Sequence, residues 1–227
     1  MASSLDLQEQ EQVDALKAFW TQYGGLIVWT LVLVLGAFAA WNGWTWYQRD
    51  QSVKAGAMFD ELERAARAGD VDKTGRVFAD LKQRYPGTAY AEQGGLLAAR
   101  VQYDKGQPDA GRASLAWVAE NATEVEYRAV AQLRLAGELL DAKQYAEALK
   151  QLDAVKAAGF EALVADRRGD VLMAQGQKDA ARAAWQTAWK AMDDKLDYRR
   201  LIDAKLTAAG AAPDVPAEGA AASGAAR

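Results

Sequence analysis

Lys143-Gln144-Tyr145-Ala146-Glu147-Ala148-Leu149 is the stretch on which the architecture turns. Before it, Leu133, Leu135, Leu139 and Leu140 recur with the spacing of an amphipathic helix, as Phe59, Leu62 and Ala66 do earlier. Lys143-Gln144 breaks that run and a second helical run begins. Working outward, the same break stands at Gly69-Asp70-Val71-Asp72, at Gly106-Gln107-Pro108-Asp109 and at Gly176-Gln177-Lys178-Asp179. The two earlier intervals are equal and the last is one helical turn shorter. Between these breaks lie others: Tyr85-Pro86-Gly87, Asn121, Gly159 and Asp193-Asp194. Eight helices of about 11 to 20 residues and a short ninth are expected. Alanine is abundant, only four prolines occur, and no stretch alternates like a strand.

A helix–turn–helix recurring every ~33 to ~37 residues, close to a period of about 34, is the tetratricopeptide pattern. Residues 143–149 resemble the G-x-Y-x-E-A-L turn of that repeat, with Lys143 where glycine is usual. Gly137 takes the place of the first-helix glycine, and the last unit repeats the scheme with Gly169, Gly176, Ala180 and Ala181. Such small residues let the two helices of a pair approach closely. Leu152, Trp185 and Trp189 are large enough to fill the groove between pairs. Tyr85 to Ala91 resembles the proline turn that closes one repeat. The two longer intervals imply an extra half turn of helix or a longer connection. The expected fold is all-α: a tetratricopeptide-like solenoid of about four helix pairs over residues 48–208, right-handed, with a C-terminal capping helix around Leu196, Tyr198, Leu201, Ile202 and Leu206. An irregular helical bundle is the plainer alternative. Stacked repeats bury their faces only against one another and leave a concave groove, which is a binding surface. Residues 209–227, rich in Ala, Gly and Pro, read as a disordered tail.

Ahead of the repeats stands Gly24 to Trp46, GGLIVWTLVLVLGAFAAWNGWTW, a run without a single charged side chain. As a helix it is about 34 Å long, enough to cross a hydrocarbon core of about 30 Å. A single transmembrane helix over residues 24–47 is expected. Trp20 and Tyr23 on one side, and Trp41, Trp44, Trp46 and Tyr47 on the other, form interfacial belts. A cleaved signal peptide is the competing reading, because Ala37-Phe38-Ala39 has the form of a cleavage site. The acidic segment before the run (Asp6, Glu9, Glu11, Asp14, with Lys17 the one base) argues against it, as does that segment's length. Lys17 on one flank and Arg49 and Lys54 on the other are too few to fix orientation, and lean weakly toward an outward N-terminus. Gly36, Ala40 and Gly43 fall on one face of the span, where small residues allow a second transmembrane helix to come close.

The chain has no cysteine and no histidine. That removes disulfides and thiolate metal sites, and with histidine the commonest general base and metal ligand. The segment before the span holds four of the 31 acids and one of the 27 bases, so acids and bases nearly balance in the rest. A body so nearly neutral does not suit nucleic acid. No phosphate loop, metal-ligand spacing or nucleophile–base pair is present. Asp166-Arg167-Arg168 and Asp193-Asp194 are the densest charged groups and read as solvated helix faces or caps. The expectation is a protein without enzymatic activity or cofactor.

The segment Glu11-Gln12-Val13-Asp14-Ala15-Leu16-Lys17-Ala18-Phe19-Trp20 leads through Tyr23-Gly24 into the span and then into the repeats. In this order and spacing the chain resembles the YfgM-like ancillary subunits of the bacterial SecYEG translocon. The resemblance covers all but the tail. It implies an inner-membrane protein with residues 1–23 in the cytoplasm and the repeats in the periplasm. It implies as partners the SecYEG translocon, the periplasmic chaperone PpiD, membrane lipid and unfolded secretory polypeptides, and no catalytic residue. A membrane-tethered tetratricopeptide adaptor for another cell-envelope assembly or signalling complex is the alternative.

Overall fold

A computed structural model describes residues 7–211, with side chains from residue 11 onward. Among these residues there are nine helices and no strand: α1 (Leu7–Arg67), α2 (Val71–Arg84), α3 (Ala89–Asp104), α4 (Pro108–Asn121), α5 (Val125–Asp141), α6 (Tyr145–Ala154), α7 (Glu161–Ala174), α8 (Lys178–Ala191) and α9 (Tyr198–Ala208). Two compact units divide between Val53 and Lys54, inside the unbroken α1.

The first unit is the membrane helix. Its large apolar side chains are exposed, Leu31, Leu33, Leu35, Phe38 and Trp41 among them, with Ile27 alone half-buried in the apolar run. A helix whose whole circumference is apolar and uncovered belongs in lipid. Three polar side chains in and beside the apolar run donate to carbonyls of their own helix. Thr30 Oγ1 donates to Leu26 O at 2.8 Å, Asn42 Nδ2 to Phe38 O at 3.0 Å and Thr45 Oγ1 to Asn42 O at 2.9 Å.

In the second unit each helix packs on the next, from α2 against α3 through to α8 against α9, while α5 also touches α3 and α7. This is the nearest-neighbour arrangement of a repeat stack. Local chemistry sets the helix starts. The Asp70 carboxylate accepts from Lys73 N at 2.9 Å, the Thr88 hydroxyl accepts from Ala91 N, and Pro108 opens α4 at a position needing no N–H partner. The surplus behind the two longer intervals lies in the helices, since α3 and α5 have 16 and 17 residues where α7 has 14. The connections are shorter there than between α6 and α7.

The four turns inside the pairs are built alike. Gly69, Gly106, Lys143 and Gly176 all have positive φ, between 59° and 78°. In each, this residue and its successor return hydrogen bonds to the preceding helix: Lys143 N to Leu140 O at 2.9 Å and Gln144 N to Leu139 O at 2.8 Å, as Gly176 and Gln177 do to Met173 and Leu172. Lys143 therefore holds a left-handed conformation that costs a residue with a Cβ about 1–2 kcal/mol, partly offset by the greater chain entropy glycine loses on folding. Lys143→Gly is expected to stabilise the repeats by about 0.5–1 kcal/mol, read as a higher urea midpoint. A lower midpoint would mean that the lysine side chain stabilises the turn by more than its backbone strain costs.

The core runs through the stack. Ala99, Leu115, Leu135, Ala136, Leu139, Ala148, Leu152 and Val171 form its largest cluster and join α3 to α7. Gly95 lets α3 lie against Phe78 and Val118, and Gly111 lies under the Tyr103 ring. Glu92 is fully buried and its Oε1 accepts from both Thr123 N and Thr123 Oγ1 at 2.7 Å, which ties down the α4–α5 connection. Trp185 is buried against Gly169 inside the α7–α8 pair, a tighter placement than the groove between pairs that its size suggested. In α9, Ile202 and Leu206 are buried in the cap, whereas Leu201, and Leu196 just ahead of the helix, face solvent. Of the tail, Ala209 to Ala211 complete the end of α9, with Arg182 Nε donating to Ala209 O at 2.6 Å; residues 212–227 lie outside the described residues.

Candidate functional site

The first helices of successive pairs lie side by side, and their shared face is a groove built from the last turns of α1, then α3, α5 and α7, with α9 at the end. Three hollows follow one another along it. The first, about 280 Å³, is lined by Glu63, Arg67, Leu97, Arg100 and Asp104. The second, about 520 Å³, has Arg100, Tyr103, Asp104, Arg134, Glu138 and Arg167 in its wall. The third, about 220 Å³, is bounded by Val130, Leu133, Arg134, Phe160, Leu163, Arg167 and Tyr198. Neighbouring hollows share arginines, so they form one continuous trough.

Charge along the trough is mostly paired within helices. Arg67 Nη2 meets Glu63 Oε2 at 2.6 Å, and Arg100 Nε stands 3.8 Å from Asp104 Oδ2. In the middle hollow, burial pushes the Glu138 carboxyl above its ordinary range, and Asp141 adds to the shift. Burial likewise raises the Tyr103 hydroxyl, with Glu138 beside it contributing. A carboxyl whose folded-state pKa lies above the unfolded value near 4.5 supports the fold most below that value, and its support is lost as pH rises through the folded one. Glu138→Gln is therefore expected to gain on the wild type as pH goes from acid to neutral. Urea midpoints of both proteins at the two pH values test this, and parallel midpoints would refute it.

Gly137 does not serve close helix packing. A Cβ there would meet only the Arg167 guanidinium, at an ordinary contact distance of 3.8 Å, so nothing in the packing requires a glycine at this position. The expectation for Asp166-Arg167-Arg168 also needs correcting. Asp166 is fully buried, not solvated. Its carboxylate accepts from Tyr198 Oη at 2.7 Å and from Lys205 Nζ at 2.8 and 2.9 Å, and Lys205 also reaches Asp170 at 2.7 Å. Burial, followed by this bond to Asp166, raises the Tyr198 hydroxyl. Arg168 does face solvent enough to pair with Asp153 at 2.5 Å. Asp193 caps a turn, its Oδ1 accepting from Lys195 N at 2.9 Å.

On the membrane helix, Gly36, Ala40 and Gly43 are all exposed, and a Cβ built on either glycine meets nothing within 4 Å. Their shared face is open to a neighbour.

Residues 17–211 match the family model of a tetratricopeptide repeat-like domain. Three similar curated proteins each bear the name ancillary SecYEG translocon subunit. That of Escherichia coli strain K12 is 31% identical over 185 residues, covering 80% of this chain and 87% of that protein. That of Neisseria gonorrhoeae is 30% identical over 204 residues, 88% of this chain and 96% of that protein. That of Haemophilus influenzae is 26% identical over 182 residues, 80% and 89% of the two chains. No solved structure matches the chain.

Proposed function

The chain belongs to the family of ancillary SecYEG translocon subunits, and from that premise we propose that it is a membrane-anchored scaffold of the Sec translocon, holding its repeats in the periplasm. The observation that carries the proposal is the joining of a lipid-exposed helix to a repeat stack with a continuous trough on its first-helix face. The helix fixes the protein in the plane of a membrane channel, and the trough offers a surface for polypeptides. The relatives are named for a translocon and not for a reaction, in keeping with a binding role. The partners that follow are SecY, SecE and SecG in the membrane and, in the periplasm, PpiD and secretory polypeptides leaving the channel. The N-terminal segment faces the cytoplasm of the inner membrane. That side is supported by the family resemblance, since the flanking charges do not decide it.

Co-purification in mild detergent followed by mass spectrometry tests the proposal. SecY, SecE and SecG are expected with the protein, PpiD among its periplasmic partners, and absence of all three Sec subunits would overturn it. Protease added to spheroplasts is expected to digest the repeats, and repeats that survive intact would place them in the cytoplasm. Gly36, Ala40 and Gly43 form the face we assign to a neighbouring transmembrane helix. Leucine at 36 and 43 keeps that face apolar but prevents close approach. Gly36→Leu with Gly43→Leu is expected to reduce recovery of the Sec subunits several-fold, and unchanged recovery would remove that face from the interface.

A further inference from the structure

Arg67, Arg100, Arg134 and Arg167 recur with the repeat itself, one on each successive first helix of the stack. Adjacent members share a hollow, so the four make a line of guanidiniums along the trough. They are not equally neutralised. Arg67 has Glu63 and Arg100 has Asp104. Arg134 is exposed and makes no ion pair among the described residues. Arg167 reaches Asp170 only at 3.5 Å, and that carboxylate already accepts Lys205 at 2.7 Å and the Trp185 indole at 3.2 Å. No acid lines the third hollow; its remaining wall is Val130, Leu133, Phe160, Leu163 and the ring of Tyr198, whose hydroxyl is engaged by Asp166.

We propose that this end of the trough seats an extended polypeptide segment that carries carboxylate side chains beside an apolar one, the carboxylates being received by Arg134 and Arg167. The guanidinium fork suits a carboxylate, and the apolar wall has no use for a bare inorganic anion. The third hollow shares both arginines with the second, whose wall also carries Asp104, Glu138 and Asp141, so the ligand's carboxylates belong at the Arg134–Arg167 end and the segment is held there by its side chains, not by a free terminus. Neighbouring helices pack about 8–10 Å apart and an extended residue advances about 3.3–3.6 Å, which puts successive arginines about three residues apart along the ligand. The inference deepens the scaffold reading above by giving the chemical class of the polypeptide the trough holds.

The probe is a dye-labelled peptide with both ends blocked, Gly-Asp-Phe-Gly-Asp-Leu-Gly-Ser, and its partner with Asn for each Asp. Binding to the full chain in detergent is read by fluorescence anisotropy. The Asp peptide is expected to bind about tenfold tighter than the Asn peptide, a preference lost in Arg134→Glu and in Arg167→Glu and kept in Lys150→Glu, which lies on α6 outside the trough. Arg134→Gln, which adds no charge, is expected to lose the preference too and serves if the reversed charges unfold the stack. Equal binding of the two peptides by the wild type, or a preference that survives Arg134→Glu and Arg134→Gln, would overturn the assignment. Arg134→Glu leaves the anchor intact and is expected to co-purify SecY as before. Lost peptide preference with retained SecY is the supporting result, whereas a wild type that prefers the Asp peptide but recovers no Sec subunit would overturn the scaffold reading alone.

Discussion

Trp185→Ala is expected to lower the stability of the repeats by about 3–5 kcal/mol, the range for truncating a buried tryptophan. Trp185 is 5% exposed and lies at the centre of a cluster with Ala162, Ala181, Ala188, Met192, Ile202 and Leu206. Its indole sits against Gly169, where a Cβ would collide with the ring. Its Nε1 donates to Asp166 O at 3.1 Å and to Asp170 Oδ1 at 3.2 Å. Ala162, Ala181, Ala188 and Gly169 are too short to collapse into the space, whereas Met192, Ile202 and Leu206 can relax toward it, so the loss belongs within that range. Trp185→Phe keeps most of the buried ring and gives up the hydrogen bonds, for a loss of about 1–2 kcal/mol. Urea unfolding in mild detergent, followed by far-UV circular dichroism, measures both. A loss for the alanine variant well under the ~3 kcal/mol floor of that range would show that the last unit does not depend on this ring. Because each helix packs mainly on its sequence neighbours, the loss should appear first as fraying of α7 to α9, visible in amide exchange, ahead of the rest of the stack.

The second large effect is expected at Lys205. Its ammonium lies between two carboxylates, Asp166 at 2.8 Å and Asp170 at 2.7 Å, whose side chains are 1% and 17% exposed. Replacing it with methionine leaves both acids buried side by side, with the Tyr198 hydroxyl, the Trp185 indole and the distant Arg167 as their remaining donors. Removing one partner of a buried ion pair costs about 3–5 kcal/mol, and Lys205→Met is expected within that range. The double variant Asp166→Asn with Lys205→Met removes one of the stranded charges and should recover part of the loss, giving a coupling energy of about 1–3 kcal/mol in a double-mutant cycle. Strict additivity of the two single losses would mean that Lys205 acts through packing on Trp185 and not through the pair.

The turns are legible in the sequence because each is a local event. Gly69, Gly106 and Gly176 mark left-handed residues, and Lys143 aligns with them through the residues that follow it. The membrane helix is equally plain, since so long an uncharged run has few alternatives. Asp166 looks solvated in sequence because its neighbours Arg167 and Arg168 are charged. A signal is nevertheless present: Ala162, Asp166 and Gly169 fall at i, i+4 and i+7, on the buried stripe of α7. Its partner Lys205 lies 39 residues away on another helix, and no local pattern connects the two. Glu92 escapes notice for the same reason, as Thr123 sits 31 residues beyond it. The line of arginines recurs once per repeat, but it hides among the 27 basic residues until the helices stand side by side.

The membrane helix carries a last consequence, in the order of assembly. Thr30, Asn42 and Thr45 each spend a side-chain donor on a carbonyl of their own helix. In hydrocarbon an unsatisfied donor costs several kcal/mol, and a helix with such a donor is driven to find a companion. Here the Thr30 and Thr45 hydroxyls and one N–H of the Asn42 amide are settled before any companion arrives. The helix can be inserted singly, wait in the bilayer and dissociate again without stranding them. Any companion helix that joins it would then be held by shape and not by the rescue of these bonds.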